Sequence, residues 1–193
     1  MAEDPSQRRP VGGVSAFLRV LLAFLLMAPL SFLCIFASLL VLPSRSLRIR
    51  LGNLYGKTVG PLVFRLAGIR ARIENPERLD SRRPALYVSN HSSTLDMWMG
   101  MWLCPFGGCG VAKKEIVRVP FFGQTYLLSG HLLLDRSNRE RAIASMEKAR
   151  QVVQSKRLSL WMWPEGTRSR SGRLQPLKKG FAHMAVATRL PIV

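Results

Sequence analysis

The chain has 193 residues, 48% of them hydrophobic, which suits one α/β domain with its own core plus a modest extra segment and argues against disorder. Its 29 Lys and Arg against 11 Asp and Glu leave a net charge of +18, which fits an anionic partner: nucleic acid, an acidic membrane surface or a phosphorylated substrate. Cys34, Cys104 and Cys109 are an odd set without a pairing pattern, so they read as reduced thiols, and Cys104-x4-Cys109 lacks the second ligand pair of a zinc site.

Residues 1–13 read as a polar tail. Residues 20–42 carry no charge, and only Pro29 interrupts them. As a helix they would span roughly 34 Å, enough to cross a hydrocarbon core. That run is too long for a cleaved signal peptide, so a membrane anchor is expected, with a bent or re-entrant path left open by Pro29. Arg45, Arg48, Arg50 and Lys57 follow the run, whereas Arg8, Arg9 and Arg19 before it are offset by Glu3 and Asp4. The positive-inside tendency then places the C-terminal part on the cytoplasmic side. Across residues 46–68, Leu47, Leu51, Leu54, Tyr55, Thr58 and Leu62 recur at helical spacing, with Arg48, Arg50, Lys57 and Arg65 elsewhere. This predicts a basic amphipathic helix bent at Pro61, either lying on an anionic bilayer or packing on the domain. Residues 14–69 are thus read as a membrane-anchoring helical region and residues 70–193 as the main domain.

Residues 70–74 suggest a short edge strand, and residues 75–83 a loop. Four apolar runs follow, each ending in polar, chemically capable residues. Residues 84–90 lead to His91, residues 108–112 to Lys113 and Lys114, residues 131–134 to Asp135 and Arg136, and residues 158–163 to Pro164-Glu165-Gly166-Thr167-Arg168. Helical stretches separate them. Residues 95–103 read as a buried helix, and Pro120-Phe121-Phe122-Gly123 shortens the next one. Ser137 is a candidate N-cap for a covering helix whose inner face is Ile143, Met146, Ala149 and Val153. Residues 178–189 read as a last helix, and Leu190-Pro191-Ile192-Val193 as the start of another strand. The bare apolar end reads as a domain truncated at its C-terminus.

Strand alternating with helix predicts an α/β fold: a mostly parallel sheet flanked by helices, preceded by the membrane-anchoring segment. In such sheets ligands sit beyond the carboxyl ends of the strands, so the four polar clusters point to one shared cleft. Within one helix, His91 and Asp96 would lie about 140° apart. If His91 ends a strand and Asp96 opens a helix, the turn between them folds the carboxylate onto the imidazole and makes a general base. Ser92 and Ser93 then serve as helix caps rather than nucleophiles. His131 and His183 have no motif carboxylate and read as structural.

Asn90-His91-x4-Asp96 and Pro164-Glu165-Gly166-Thr167-Arg168-Ser169 resemble the signature of the glycerolipid acyltransferases, in particular the 1-acyl-sn-glycerol-3-phosphate acyltransferases of bacteria. The similarity includes Val111-Ala112-Lys113-Lys114-Glu115-Ile116, Pro120-Phe121-Phe122-Gly123-Gln124, residues 130–136 and, in part, the terminal Leu190-Pro191-Ile192-Val193. It covers roughly residues 70–193. The resemblance implies transfer of a fatty acyl group, without metal or cofactor, from acyl-coenzyme A or acyl carrier protein to the sn-2 hydroxyl of lysophosphatidic acid. His91 and Asp96 would be catalytic. Lys113 (with Lys114 as the alternative), Arg136 and Arg168 would grip the acceptor phosphate, since guanidinium forks match phosphate oxygens. Glu165, Gly166 and Thr167 are implied as further substrate-binding positions, Gly166 because its backbone can approach a ligand closely. The remaining cations Arg170, Arg173, Lys178 and Lys179 read as solvated or as lipid-headgroup contacts. An anionic membrane surface is the expected partner, and a bacterial inner membrane with the catalytic part on the cytoplasmic side the expected location. Rival readings are acylation of glycerol-3-phosphate or another lysolipid, a catalytically idle scaffold, and a basic membrane-tethered nucleic-acid-binding module. The last gives His91, Asp96 and Glu165 no role and has no nucleic-acid motif behind it.

Overall fold

The computed structural model describes residues 12–79 and 82–193. Helix α1 (Gly13–Leu40) continues through Pro29, and after a short turn α2 (Arg45–Leu66) continues through Pro61. Ser44 caps α2, its hydroxyl accepting the N–H of Leu47. The two helices run antiparallel along most of their length. The Tyr55 hydroxyl lies 2.8 Å from Ser31 Oγ, and the Arg19 guanidinium reaches the turn at Gly68.

The polarity of α1 is inverted relative to a surface helix. Ser31 and Ser38 are fully buried and Cys34 nearly so, whereas Phe17, Leu25, Phe32, Leu33, Phe36 and Leu40 stand more than half exposed. With a mean hydropathy of 2.6 over its most apolar window, α1 is long and apolar enough to cross a membrane.

The packing alternative describes the inner side of α2. Arg45 donates to the Gly130 carbonyl and Arg48 to the Leu128 carbonyl, each at 2.9 Å, so these cations cap the end of α4 (Phe122–Leu128). The buried face of α2 is Ile49, Gly52, Tyr55, Gly56, Val59 and Gly60, not the face marked by Leu47 and Leu54, which are 46% and 55% exposed.

Beyond residue 82 the chain forms a parallel sheet of β1 (Leu86–Val88), β2 (Gly108–Lys113), β3 (Leu132–Leu134) and β4 (Ser159–Met162), in the order β1-β4-β2-β3. Ile192 bridges to Leu86 in parallel and occupies the free edge of β1. Residues 70–74 therefore do not form the expected edge strand; with that edge taken, they run irregular and exposed. Both faces of the sheet are covered, which is why its strands read as near-continuous apolar runs. One face packs Leu86, Val111, Leu160 and Met162 with Ala149 and Val153 of α5 (Arg139–Lys156) and Met184 of α6 (Gly180–Thr188). Tyr87 and Trp161 stack in the opposite layer at 5.9 Å, which Leu103 at the end of α3 (Leu95–Leu103) joins.

Two local expectations need correction. Asn138, not Ser137, caps α5, its Oδ1 accepting the N–H of Arg141, while the Ser137 N–H is already committed to Asp135. Ile143 is 60% exposed rather than on the inner face of α5.

Candidate active site

The site begins where β1 leaves the sheet. His91 follows the last β1 residues by a short extended stretch, and two backbone bonds fix it. Its N–H donates to Glu165 Oε1 at 2.6 Å, and its carbonyl accepts the Ser169 N–H at 2.7 Å. Asp96 lies in the first turn of α3 and is held more tightly still. Its Oδ2 accepts the backbone N–H groups of Ser92 and Ser93, each at 2.7 Å, and lies 3.0 Å from His91 Nδ1. The turn thus closes the five-residue offset between imidazole and carboxylate. With Nδ1 donating to a carboxylate, the neutral ring keeps its lone pair on Nε2. The Trp163 indole stacks on the imidazole at 4.9 Å and limits its rotation.

His91 opens onto a pocket whose wall includes Lys113, Arg136, Gly166, Thr167 and Arg168. Asp96 stands behind His91, outside that wall. Glu165 lies beneath the pocket, 1% exposed, with its second oxygen accepting the Gln175 N–H at 2.9 Å. Its place is under the histidine loop rather than in the ligand space.

Three cations and no carboxylate line the pocket, which makes it a receptor for an anion. Lys113 ends β2, is 60% exposed and pairs only loosely with Glu115 at 3.7 Å. Lys114 is committed elsewhere. Its ammonium lies 2.8 Å from Asp135, whose carboxyl this bond and those from Ser137 hold well below the usual range. Arg136 donates to the Gly166 carbonyl at 2.9 Å and so supports a turn in which Gly166 has φ +71°. Arg168 donates to the Thr94 hydroxyl at the start of α3. Among the described residues no cluster of three His, Cys, Asp or Glu side chains is placed to hold a metal ion.

Met97, Ala112, Ile116 and Trp163 also form a wall of a second, mainly apolar cavity, which reaches back between the sheet and α2 as far as Asn53 and His131. His131 Nδ1 accepts the Gly110 N–H at 3.2 Å, and Tyr126 packs on its ring at 4.7 Å. Burial, and secondarily the charge of Arg45, lower the His131 imidazole to about 4, so it stays neutral at ordinary pH.

A sequence model described as acyltransferase matches residues 70–193. The chain belongs to the acyltransferase family. Two similar proteins are both described as 1-acyl-sn-glycerol-3-phosphate acyltransferase. The one from Limnanthes douglasii is 52% identical over 154 residues, covering 80% of this chain and 54% of that protein. The one from Escherichia coli K12 is 37% identical over 139 residues, covering 70% and 57%. The chain spans about half the length of the curated relatives it matches. Its fold matches the crystal structure of the 1-acyl-sn-glycerophosphate (LPA) acyltransferase PlsC from Thermotoga maritima, with a TM-score of 0.75 and 21% identity, over 93% of this chain and 70% of that one.

Three residues of this site carry no signal among the motif residues of the sequence: Trp163, Thr94 and Gln175. Trp163 was within reach, because it stands two residues from Trp161 and immediately before Pro164-Glu165, on the strand face that meets the histidine. Thr94 enters through a hydrogen bond from Arg168, 74 positions away, and Gln175 through bonds to Glu165 and Ser169, and neither leaves a periodic trace.

Proposed function

We propose that the protein transfers a fatty acyl group from a thioester donor, acyl-coenzyme A or acyl carrier protein, to the sn-2 hydroxyl of 1-acyl-glycerol-3-phosphate, giving phosphatidic acid. The observation that carries this reading is the His91–Asp96 pair at 3.0 Å on the edge of a pocket with three cations and no acid. His91 Nε2 takes the proton of the acceptor hydroxyl as its oxygen attacks the thioester carbonyl, and Asp96 stabilises the imidazolium. Collapse of the tetrahedral intermediate breaks the carbon–sulfur bond, and the imidazolium returns the proton to the departing thiolate. Lys113, Arg136 and Arg168 hold the acceptor phosphate. Glu165 positions the loop that carries His91. The apolar cavity behind Trp163 adjoins the reacting centre.

The membrane contact is the outer face of the α1–α2 hairpin. One side of α1 is tied to α2 by Ser31 and to the domain by Cys34 at Ser129 and by Phe24 and Phe32 at Phe121, so the helix lies along the protein with its large apolar residues facing lipid. The charge asymmetry supports a catalytic part on the cytoplasmic side. Relatives in plants and bacteria match alike, so the likeness does not single out a bacterial inner membrane.

The test is transfer to a panel of lysophosphatidic acid, glycerol-3-phosphate and lysophosphatidylcholine in vesicles. Lysophosphatidic acid is expected to react, and glycerol-3-phosphate and lysophosphatidylcholine much less. His91→Ala is expected to lower kcat by about 10²–10⁴ while the fold is kept. Preferred transfer to glycerol-3-phosphate or to lysophosphatidylcholine would overturn the substrate assignment, and full turnover by the variant would overturn the mechanism.

A further inference from the structure

The segment after the active-site turn has a composition that the pocket does not use. From Ser169 to the last residue the chain carries Arg170, Arg173, Lys178, Lys179 and Arg189 and no Asp or Glu. Between Ser169 and α6 it forms no regular element, and within it Leu174 and Leu177 stand 66% and 49% exposed. Among the described residues, Arg170, Arg173, Lys178 and Lys179 pair with no carboxylate. Gln175 is tucked in: its N–H is held by Glu165 Oε2 at 2.9 Å, and its side chain reaches Ser169 Oγ at 3.3 Å. The leucines on either side are therefore presented outward from a fixed point, each with cations close by in the chain.

We propose that residues 170–179 are an interfacial loop that inserts Leu174 and Leu177 into an anionic lipid surface, with Arg170, Arg173, Lys178 and Lys179 meeting the headgroup phosphates. Two bare leucines within a group of cations match the layered chemistry of such a surface, apolar below and anionic above. An acidic protein would satisfy the cations and leave the leucines without a purpose. Glu165 gives the contact a consequence: one of its oxygens holds this loop at Gln175 and the other holds the backbone of His91. Engagement of the membrane and placement of the base thus share one carboxylate. The inference deepens the proposed function, on which only its kinetic arm rests.

The native thiols favour a direct test. Cys34, Cys104 and Cys109 are all buried, and desolvation lifts Cys104 to about 12, so a thiol introduced on the loop is the one that labels. The whole chain with Leu174→Cys carries an environment-sensitive nitrobenzoxadiazole probe, with Ile143→Cys on α5 as the exposed control. On mixed phosphatidylcholine–phosphatidylglycerol vesicles, the emission at 174 is expected to rise several-fold and shift to the blue, with little change at 143. On pure phosphatidylcholine the change at 174 should be much smaller. In the kinetic arm, Leu174→Asp with Leu177→Asp is expected to raise KM for vesicle-borne acceptor about tenfold, with turnover of a short-chain monomeric acceptor unchanged. No emission change on either vesicle overturns the proposal. So does an equal change on neutral vesicles, or a change produced by soluble acyl carrier protein in place of lipid. The labelled protein with His91→Ala must keep the emission change while losing turnover, so failure of the chemistry and failure of the loop assignment are told apart.

Discussion

A carboxylate at 1% exposure is stable only when donors replace the water it gave up, and Glu165 finds them in two backbone N–H groups far apart in the chain. Glu165→Gln gives one oxygen and one NH2 where two acceptors are needed, so one bond becomes a clash of donors. The expected loss of stability is about 1–3 kcal/mol by thermal unfolding, with a fall in kcat larger than any change in KM. Arg168 faces the ligand space instead. Arg168→Ala is expected to raise the acceptor KM by about 10–100-fold, read from steady-state kinetics, because a charge-assisted bond is lost from binding. His91 and Asp96 could be read from sequence, since a short turn joins them and both belong to one motif. The tie from Glu165 to His91 could not, because it spans 74 positions and depends on a hydrogen bond to backbone, which no side-chain pattern records.

At the scale of elements, α2 shows what hydrophobic periodicity overlooks. Gly52, Gly56 and Gly60 recur every four residues along its inner side and let α3 and the Ser129–His131 turn approach closely. A Cβ at Gly56 would lie 2.5 Å from the Met101 carbonyl oxygen, and one at Gly60 2.6 Å from Trp102 Cβ. Gly56→Ala is therefore expected to push α2 and α3 apart and cost about 1–3 kcal/mol, whereas Leu54→Ala on the exposed side leaves the melting temperature nearly unchanged. Glycine adds nothing to an apolar stripe, so the eye follows Leu47 and Leu54 to the wrong face. The parallel sheet, by contrast, follows from apolar runs that alternate with helices, although its order β1-β4-β2-β3 does not. The error at residues 70–74 has a different origin: the β1 edge was filled by residues at the far end of the chain, a pairing set by topology rather than by local preference.

For the molecule as a whole, pH acts on stability through His131. Its folded pKa of about 4 lies below the unfolded value of 6.5. Between those limits the unfolded chain binds more protons, so stability is intact above pH 6.5, falls as the pH drops towards 4, and levels off below that. The cumulative loss is on the order of 3 kcal/mol. Tm measured against pH should show this slope, and His131→Gln should flatten it. The Asp135 carboxyl, depressed by Lys114 and Ser137, acts in a separate window, with its contribution fading only as the pH falls below the ordinary carboxylate range.

The Asn53 side chain donates to the Gly108 carbonyl and accepts the Gly107 N–H, each at 2.9 Å, clasping the entry to β2 from a helix outside the span that the family model matches. That clasp makes the N-terminal hairpin a keel rather than a tether. Cutting the chain at residue 70 in search of a detergent-free domain would strip the wall from the cavity, leave the glycine-facing side of α3 bare and free two backbone groups at once. The expected product is a sticky, poorly cooperative fragment, and a broad, low-amplitude melt beside the sharp one of the whole chain would identify it.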